Sequence, residues 1–521
     1  MALAEVASAA VERLSTQWPF VLSALLVFAA AWFMQSLFKQ DPLSKIPFIG
    51  AEVGDESKRL TAFLQDAKAM YAQGYKKFKQ GMFRLTTTRE SPMVVLSPRF
   101  LNELKDLPDD VLSFSGAIDE IMHPAFTNVK SDRQIIPHIV KRDLTPGLNR
   151  LNPVVAEEVD LAFQEEIPQT TEWTSVPLNK HLLRIVSKVS GRIFVGPELC
   201  RTDEYVDISI NYTLEVNNAT QAISAMKPSE RAAKGEDLPE VKALKAREKR
   251  AQEFIRPLVE ARKKAIKNDP DFQKPDDILQ WLLDDGQAKY GEQAVQELTE
   301  VQLGLTFAAI HTTTISTTNA FYTLATMPEL ISELREEVRS VLNEYGTFTT
   351  NALQRMKKLD SFLKESMRVH PLGWSSFLRK VLKPFVLSNG QVIPAGCIIE
   401  VPSYNHMHDP EVIENPEQFD ALRWYRRREA QELEGSHKGS AAATNQLVSV
   451  SSVALNFGYG RHACPGRFFA ANEIKMIVGR AVLDYDFKLP DGETQRYKNF
   501  ELAGACIPDP TKNLMFKRAT I

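Results

Sequence analysis

The sequence predicts a mainly α-helical body with a small β region, carried behind a single N-terminal membrane helix. Three observations lead there. After Pro47, segments with apolar residues at three- and four-residue spacing dominate. Strand-like pieces are short and few. Near the N-terminus, "WPFVLSALLVFAAAWFM" (Trp18 to Met34) carries no charge. The 521 residues are 44% apolar and 25% charged, ordinary for a globular protein. A net charge of −3 gives no electrostatic reason to bind nucleic acid. Cys200, Cys397, Cys464 and Cys506 lie too far apart for a disulfide framework and suit a reducing compartment.

The apolar run reaches Phe38 and as a helix would span about 31 Å, enough to cross the hydrocarbon core. Trp18 and Trp32 sit near its ends, where indoles favour the interface. The run is long for a cleaved signal peptide, and no clean small-x-small site follows it. Lys39, Lys45, Lys58 and Arg59 follow the span, which favours a cytosolic body. Residues 1–40 are therefore expected to be an anchor and 41–521 a single catalytic domain, with Pro42 and Pro47 stiffening the joint.

Within the body, "VVAEEVDLAFQEEI" and "KHLLRIVSKVSGRIF" read as helices. "LREEVRSVLNEY" reads as another, with Pro328 in its first turn. Short strands are expected at "MVVLS", "KPFVLS", "QVIPAGCIIEV" and "LVSVSS". Lys227–Arg250 and Arg426–Ala443 read as charged, loose surface. The longest helix begins in "LTEVQLGLTFAAIHTTTISTTNAFYTLATMP", with Thr299 and Gln302 as a capping box and Pro328 marking its end. Apolar nearly all round, it should run through the core.

The chemistry concentrates in "NFGYGRHACPGRFF". As a dinucleotide fingerprint, Gly458-x-Gly460-x-x-Ala463 fits, but too little chain follows to complete such a sheet. As a zinc site, His462 and Cys464 lack a second ligand pair. As a socket for haem held by one thiolate, each residue gains a purpose. Cys464 supplies the axial sulfur. Gly460 and Gly466 let backbone approach a flat porphyrin and free N–H groups for the sulfur. Pro465 starts a helix whose positive end faces the thiolate. His462 can pair with a haem propionate. A buried, inert cysteine in a turn is the remaining alternative.

These residues resemble the signature of the cytochrome P450 family, F-x-x-G-x-[R/H]-x-C-x-G, at Phe457, Gly460, His462, Cys464 and Gly466. "KESMR" is similar to the family's E-x-x-R at Glu365 and Arg368, and "NPEQFDALRW" to the segment supplying a further arginine, Arg423. "AAIHTT" lies where the oxygen-activating motif belongs. That variant and "HIVKRDLTPGL" look most like fungal membrane-bound monooxygenases of terpenoid secondary metabolism.

The resemblance implies the cytochrome P450 fold, haem b, and roles for further residues. Glu365, Arg368 and Arg423 would brace the cysteine loop. Thr312 would relay protons to bound oxygen. The family usually has an acid before it; here His311 could pass a proton or be a core histidine bonded to a carbonyl of its own helix. Ala309 replaces a frequent glycine. Arg142, His138 and Arg379 are candidates for the propionates. Phe114, Ala308, Ala309, Leu372, Trp374, Ser375 and Ala503 would line an apolar substrate pocket with no cation waiting for a carboxylate.

Electrons must come from elsewhere, since no nicotinamide or flavin domain is legible. An NADPH-dependent flavin reductase would dock on a basic face of Arg426, Arg427, Arg428, Arg461, Arg467 and Lys475. The whole reads as a single-pass protein of the endoplasmic reticulum membrane, its body cytosolic. It would insert one atom of O2 into a hydrophobic, terpenoid-derived small molecule. A haem–thiolate isomerase or dehydratase needing no electrons, and a non-catalytic haem protein, are the competing readings.

Overall fold

Helical periodicity is realised along most of the chain. The computed structural model describes residues 18, 22–28, 30, 42–131, 133–285, 295–433 and 445–520. Helix α1 (Glu56–Lys77) starts at Asp55, whose carboxylate accepts the Lys58 N–H at 3.0 Å. Helix α2 (Phe114–Met122) is capped in the same way by Ser113. The two periodic segments become α3 (Thr145–Glu166) and α4 (Leu178–Phe194), which bury Val155, Val159, Ile185 and Val189 in the main core. Then come α5 (Asp203–Ala225), α6 (Pro239–Asn268), α7 (Ile278–Asp285) and α8 (Val295–Leu324). Pro328 opens α9 (Pro328–Tyr345), as its fixed φ favours. The series ends with α10 (Lys357–Val369), α11 (Arg423–Leu433) and α12 (Arg467–Asp484).

Helix α8 runs through the core, as its all-round apolar sequence requires. Several of its hydroxyls are satisfied on the helix itself: Thr306, Thr312, Ser316, Thr317 and Thr323 each donate to a carbonyl three or four residues back. The expected capping box is not formed. The helix is already under way at Val295, and Thr299 Oγ1 donates back to the Val295 carbonyl at 2.7 Å.

The strands are β1 (Met82–Leu85), β2 (Met93–Leu96), β3 (Leu112–Ser113), β4 (Thr174–Val176), β5 (Ser376–Val381), β6 (Phe385–Val386), β7 (Val392–Ile393) and β8 (Ile398–Val401). They continue with β9 (Tyr485–Lys488), β10 (Asn499–Leu502), β11 (Ala505–Pro508) and β12 (Leu514–Arg518). The largest sheet has the order β1-β2-β8-β5-β3, with β2 and β8 parallel and the other pairs antiparallel. A second sheet is β4-β12-β9, and β6-β7 and β10-β11 are separate pairs. Strand β5 carries one extra residue: Ser376 faces Val401, but Arg379 faces Ile399. Phe377 inside this bulge has φ +61°, a costly conformation for a bulky side chain.

Three expectations are corrected. "LVSVSS" is no strand, because a side chain and local turns take its backbone N–H groups: Asp360 accepts that of Leu447, the Gln446 carbonyl that of Ser449, and the Ala454 carbonyl that of Ser451. Lys227–Arg250 is mostly helical, since Ala, Glu, Lys and Arg are strong helix formers. Arg426–Leu433 continues α11, while 434–443 fall outside the described residues. Of the expected membrane helix, the described positions 18, 22–28 and 30 are helical, and Leu25, Leu26, Val27 and Phe28 are exposed. The rest of Trp18–Phe38 lies outside the described residues, among which no helix is long and apolar enough to cross a membrane.

Helices α4 and α12 are joined by Ser190 Oγ, which donates to Glu473 Oε1 at 2.8 Å inside the core. Burial pushes the Glu473 carboxyl up to about 8, against the opposing Ser190 hydrogen bond. The folded state therefore holds a proton that the unfolded chain releases near pH 4. Its contribution is complete below that pH and is lost as pH rises through about 8. Glu473→Gln is expected to flatten this part of the stability–pH curve, read by urea unfolding at pH 5 and pH 8; an unchanged slope would contradict the assignment.

Candidate active site

The cysteine loop is shaped by two left-handed glycines, Gly458 (φ +74°) and Gly460 (φ +73°). The Phe457 carbonyl accepts the Cys464 N–H at 2.8 Å, while the Phe457 ring packs on the main core. A Cβ at Gly460 would come 2.8 Å from that of Lys105, so its φ and the Lys105 segment both require glycine here. Gly466 differs. A Cβ there would meet nothing within 4 Å, leaving an open cradle beside the sulfur.

The backbone N–H groups of Gly466 and Arg467 point at the Cys464 sulfur, at the start of α12. Burial nevertheless dominates and pushes the thiol above its ordinary value, with those donors and the Arg467 charge opposing it. The two donors alone thus do not ionise Cys464; a bound cation would.

Arg379 lies 5% exposed, aimed inward by the β5 bulge. Its guanidinium stands over the rings of Phe377 and Phe114, 4.3 and 5.2 Å from their centroids, and donates to the Leu378 carbonyl. Burial lowers it to about 10, against the weaker pull of Asp109. A buried guanidinium with no carboxylate in contact among the described residues is suited to an incoming acid. Phe114 also stacks on His462, with centroids 5.2 Å apart. Phe114 is thereby tied to this cationic cluster. His462 Nε2 contacts Asp109 Oδ1 at 2.8 Å, a partner the sequence did not suggest. His138 and Arg142 meet across a π-helical turn, 3.4 Å apart, and Arg142 also grips Asp143 at 2.6 and 2.9 Å.

Across Leu298–Leu324 of α8, Ala308 and Thr312 alone are exposed, four residues apart on one face. Thr312 Oγ1 donates to the Ala308 carbonyl at 2.7 Å and lies 3.3 Å from that of Ala309. Ala309 is half-buried against the main core. His311 points elsewhere: its Nε2 lies 2.8 Å from the Ile210 carbonyl on α5. Burial lowers its pKa, against that hydrogen bond, so a neutral, packing ring is favoured. Its acceptor is on the neighbouring helix, where sequence pointed to its own.

Leu372 and Ser375 line a small cavity of about 80 Å³ with Ser316 of α8. Ser375 Oγ donates to the buried Glu400, as does Tyr71. Trp374 is not a pocket residue beside Thr312. It is 2% exposed and packs edge-on against Tyr404 in a separate apolar cluster. Ala503 packs on the same cluster, its N–H bonded to the Leu64 carbonyl, because the β10-β11 turn folds toward α1.

Glu365, Arg368 and Arg423 meet in one buried network. Glu365 is wholly buried and accepts from Arg368 Nε and Nη2 at 2.9 and 2.8 Å and from Arg423 Nε at 3.2 Å. Trp424 Nε1 and the Asp420 N–H add 3.1 Å bonds that sequence did not reveal. Burial pushes this carboxyl up, but Arg368, Arg423 and Asp420 together hold it below its ordinary value. A second buried carboxylate, Asp360, holds Arg428 at 2.8 Å and pairs with Lys475. Arg428 and Lys475 are thus removed from the expected basic face, because both charges are spent inside the protein.

The residues present fit a haem held through Cys464: a sulfur with two N–H donors, an open cradle at Gly466, and a buried Arg379 without a carboxylate in contact among the described residues. Comparison with known proteins points the same way. The family model "Cytochrome P450" matches residues 108–516. The cytochrome P450 monooxygenase ATR3 of Stachybotrys chlorohalonatus is 38% identical over 433 residues, covering 83% of this chain and 90% of that protein. The cytochrome P450 monooxygenase AN1598 of Emericella nidulans is 33% identical over 506 residues, covering 96% and 92%. The cytochrome P450 monooxygenase paxP of Penicillium paxilli is 34% identical over 463 residues, covering 88% and 86%.

Arg368→Ala strands Glu365 and is expected to cost about 3–5 kcal/mol and to yield protein without haem. Absorbance of the purified variant decides this, and an ordinary haem spectrum would refute the bracing role.

Proposed function

The chain belongs to the cytochrome P450 family, and on that premise we propose that it is a membrane-anchored monooxygenase of fungal secondary metabolism acting on a hydrophobic, terpenoid-derived molecule. The observation that carries the reading is Cys464, its sulfur facing two backbone donors beside the open cradle at Gly466. Haem b bound there supplies dioxygen activation and insertion of one oxygen atom into an unactivated C–H bond.

The chain's own residues do the rest. Cys464 provides the thiolate ligand. Arg379 and His462 hold and neutralise propionates, and Arg142 with His138 offers a second pair of donors. Thr312 holds a proton at Oγ1 on the exposed face of α8 and can pass it on. Ala308, on that face, offers the substrate an apolar contact worth ~25 cal/mol per Å² buried. The brace around Glu365 keeps the cysteine loop in place and takes no part in the chemistry.

The uncharged run Trp18–Met34, followed by lysines, supports a single-pass anchor in the endoplasmic reticulum membrane with a cytosolic body. Electrons then come from an NADPH-dependent flavin reductase on that membrane. With Arg428 and Lys475 buried, its docking face reduces to Arg426, Arg427, Arg461 and Arg467 on the cysteine side.

Expression with a reductase and a screen of fungal terpenoids tests the reading: NADPH-dependent incorporation of one atom of labelled O2 is expected. Turnover without NADPH would favour the isomerase or dehydratase reading. Cys464→Ser is expected to abolish the thiolate-type carbon monoxide difference spectrum and oxygenation together. Thr312→Ala should lower product formation on the order of 10²-fold while NADPH is still consumed; full coupling would exclude Thr312 from proton delivery. Reduction should slow steeply with rising salt at constant haem content, and salt-independent reduction would exclude charge-steered docking.

A further inference from the structure

An open cavity of about 510 Å³ lies between α1, the C-terminal end of α10 and the loop leading into β10. Its lining includes Lys68, Trp374, Tyr404, Arg496, Lys498 and Glu501. None of the residues placed around Cys464, Arg379 or Thr312 lines it. Its volume falls in the range of small-molecule sites.

The cavity's charge is unbalanced. Lys68 Nζ pairs with Glu501 at 3.0 Å and stands 4.8 and 5.1 Å from the ring centroids of Trp374 and Tyr404. That pair cancels, and Arg496 and Lys498 remain. Arg496 is half-buried, yet every acceptor it reaches is neutral: Thr323 Oγ1 at 3.0 Å, Asn319 Oδ1 at 2.6 Å, Asn499 Oδ1 at 3.2 Å and the Tyr497 carbonyl at 2.6 Å. These bonds fix the guanidinium without offsetting its charge. Burial lowers Arg496 to about 10. On the same wall, His370 is lowered to about 3, by burial first and then by Arg496 and Lys68. Lys498 is exposed at the rim, and no ion pair is recorded for it among the described residues. A preset guanidinium in a cavity also lined by Tyr404 is the chemistry of acid recognition: charge-assisted donors for an oxyanion and apolar ring surface for a carbon body.

We propose that this cavity binds an organic oxyanion, a carboxylate or phosphate monoester, with its acidic group toward Arg496 and Lys498 and its body along the half-buried Tyr404. The cavity is lined by none of Cys464, Arg379, His462 and Thr312, and its binding does not depend on the identity of the oxidised substrate. The acidic group can belong to a soluble metabolite or to a membrane lipid headgroup.

Calorimetric titration of the haem-loaded full chain with phenyl phosphate tests the site. Saturable binding is expected, tighter than that of inorganic phosphate, with the haem absorbance unchanged. Arg496→Gln should weaken it about tenfold or more, the worth of a charge-assisted bond. Because Arg496 also ties Asn319 to Thr323, Lys498→Glu at the exposed rim provides a second variant that leaves packing intact and should also weaken binding. Absence of saturable binding, or equal affinity in wild type and both variants, would overturn the proposal. Displacement of phenyl phosphate by phosphatidylcholine vesicles containing phosphatidic acid, but not by phosphatidylcholine alone, identifies a lipid headgroup as the source. Persistence of binding against both identifies a soluble acid.

Discussion

A carboxylate removed from water must be surrounded by donors, and Glu365 shows how much architecture that requirement can organise. Two guanidiniums, an indole N–H and a backbone N–H converge on its two oxygens. They come from α10, from α11 and from the segment before α11. Arg423 in turn reaches the carbonyls of Glu414, Asn415 and Gln418, and Arg368 reaches that of Met407. An irregular stretch of chain is thereby pinned through its carbonyls rather than by a sheet. Asp360, one turn earlier on α10, does the same for the approach to the cysteine loop through the Leu447 N–H. Such clusters add little net stability compared with apolar packing, but they specify one arrangement, and losing any member leaves a charge stranded.

The site built on this scaffold divides its labour by burial. On one side, glycines and two N–H groups present a sulfur. On another, a strained strand presents a guanidinium. Over Leu298–Leu324, a helix that is otherwise sealed opens one short stripe at Ala308 and Thr312. Each feature violates a local rule, and such violations gather at functional sites because the surroundings over-determine them.

Much of this was legible in the sequence, for reasons that can be named. Periodicity found α3, α4 and α9, since their packing obeys the helical repeat. The cysteine loop and E-x-x-R were legible because spacing along one short segment encodes their geometry. What escaped depends on contacts between distant segments. Trp424 and Asp109 complete networks through partners 59 and 353 positions away. Trp374 lies beside an expected pocket residue, Ser375, yet turns to the other side of the chain. Arg428 and Lys475 looked like surface cations until Asp360 claimed them. The strand expected at "LVSVSS" had the right composition but lost its backbone N–H groups to Asp360 and to local turns.

The extra residue in β5 carries a consequence for how this chain can vary. Along a strand, facing alternates with every step, and the bulge at Phe377 shifts that alternation once. Removing a single residue there would restore a regular ribbon and send Arg379 to the opposite surface. Length at this point is therefore as constrained as identity, and insertions or deletions can be absorbed only beyond the strand, as in the exposed β6-β7 turn.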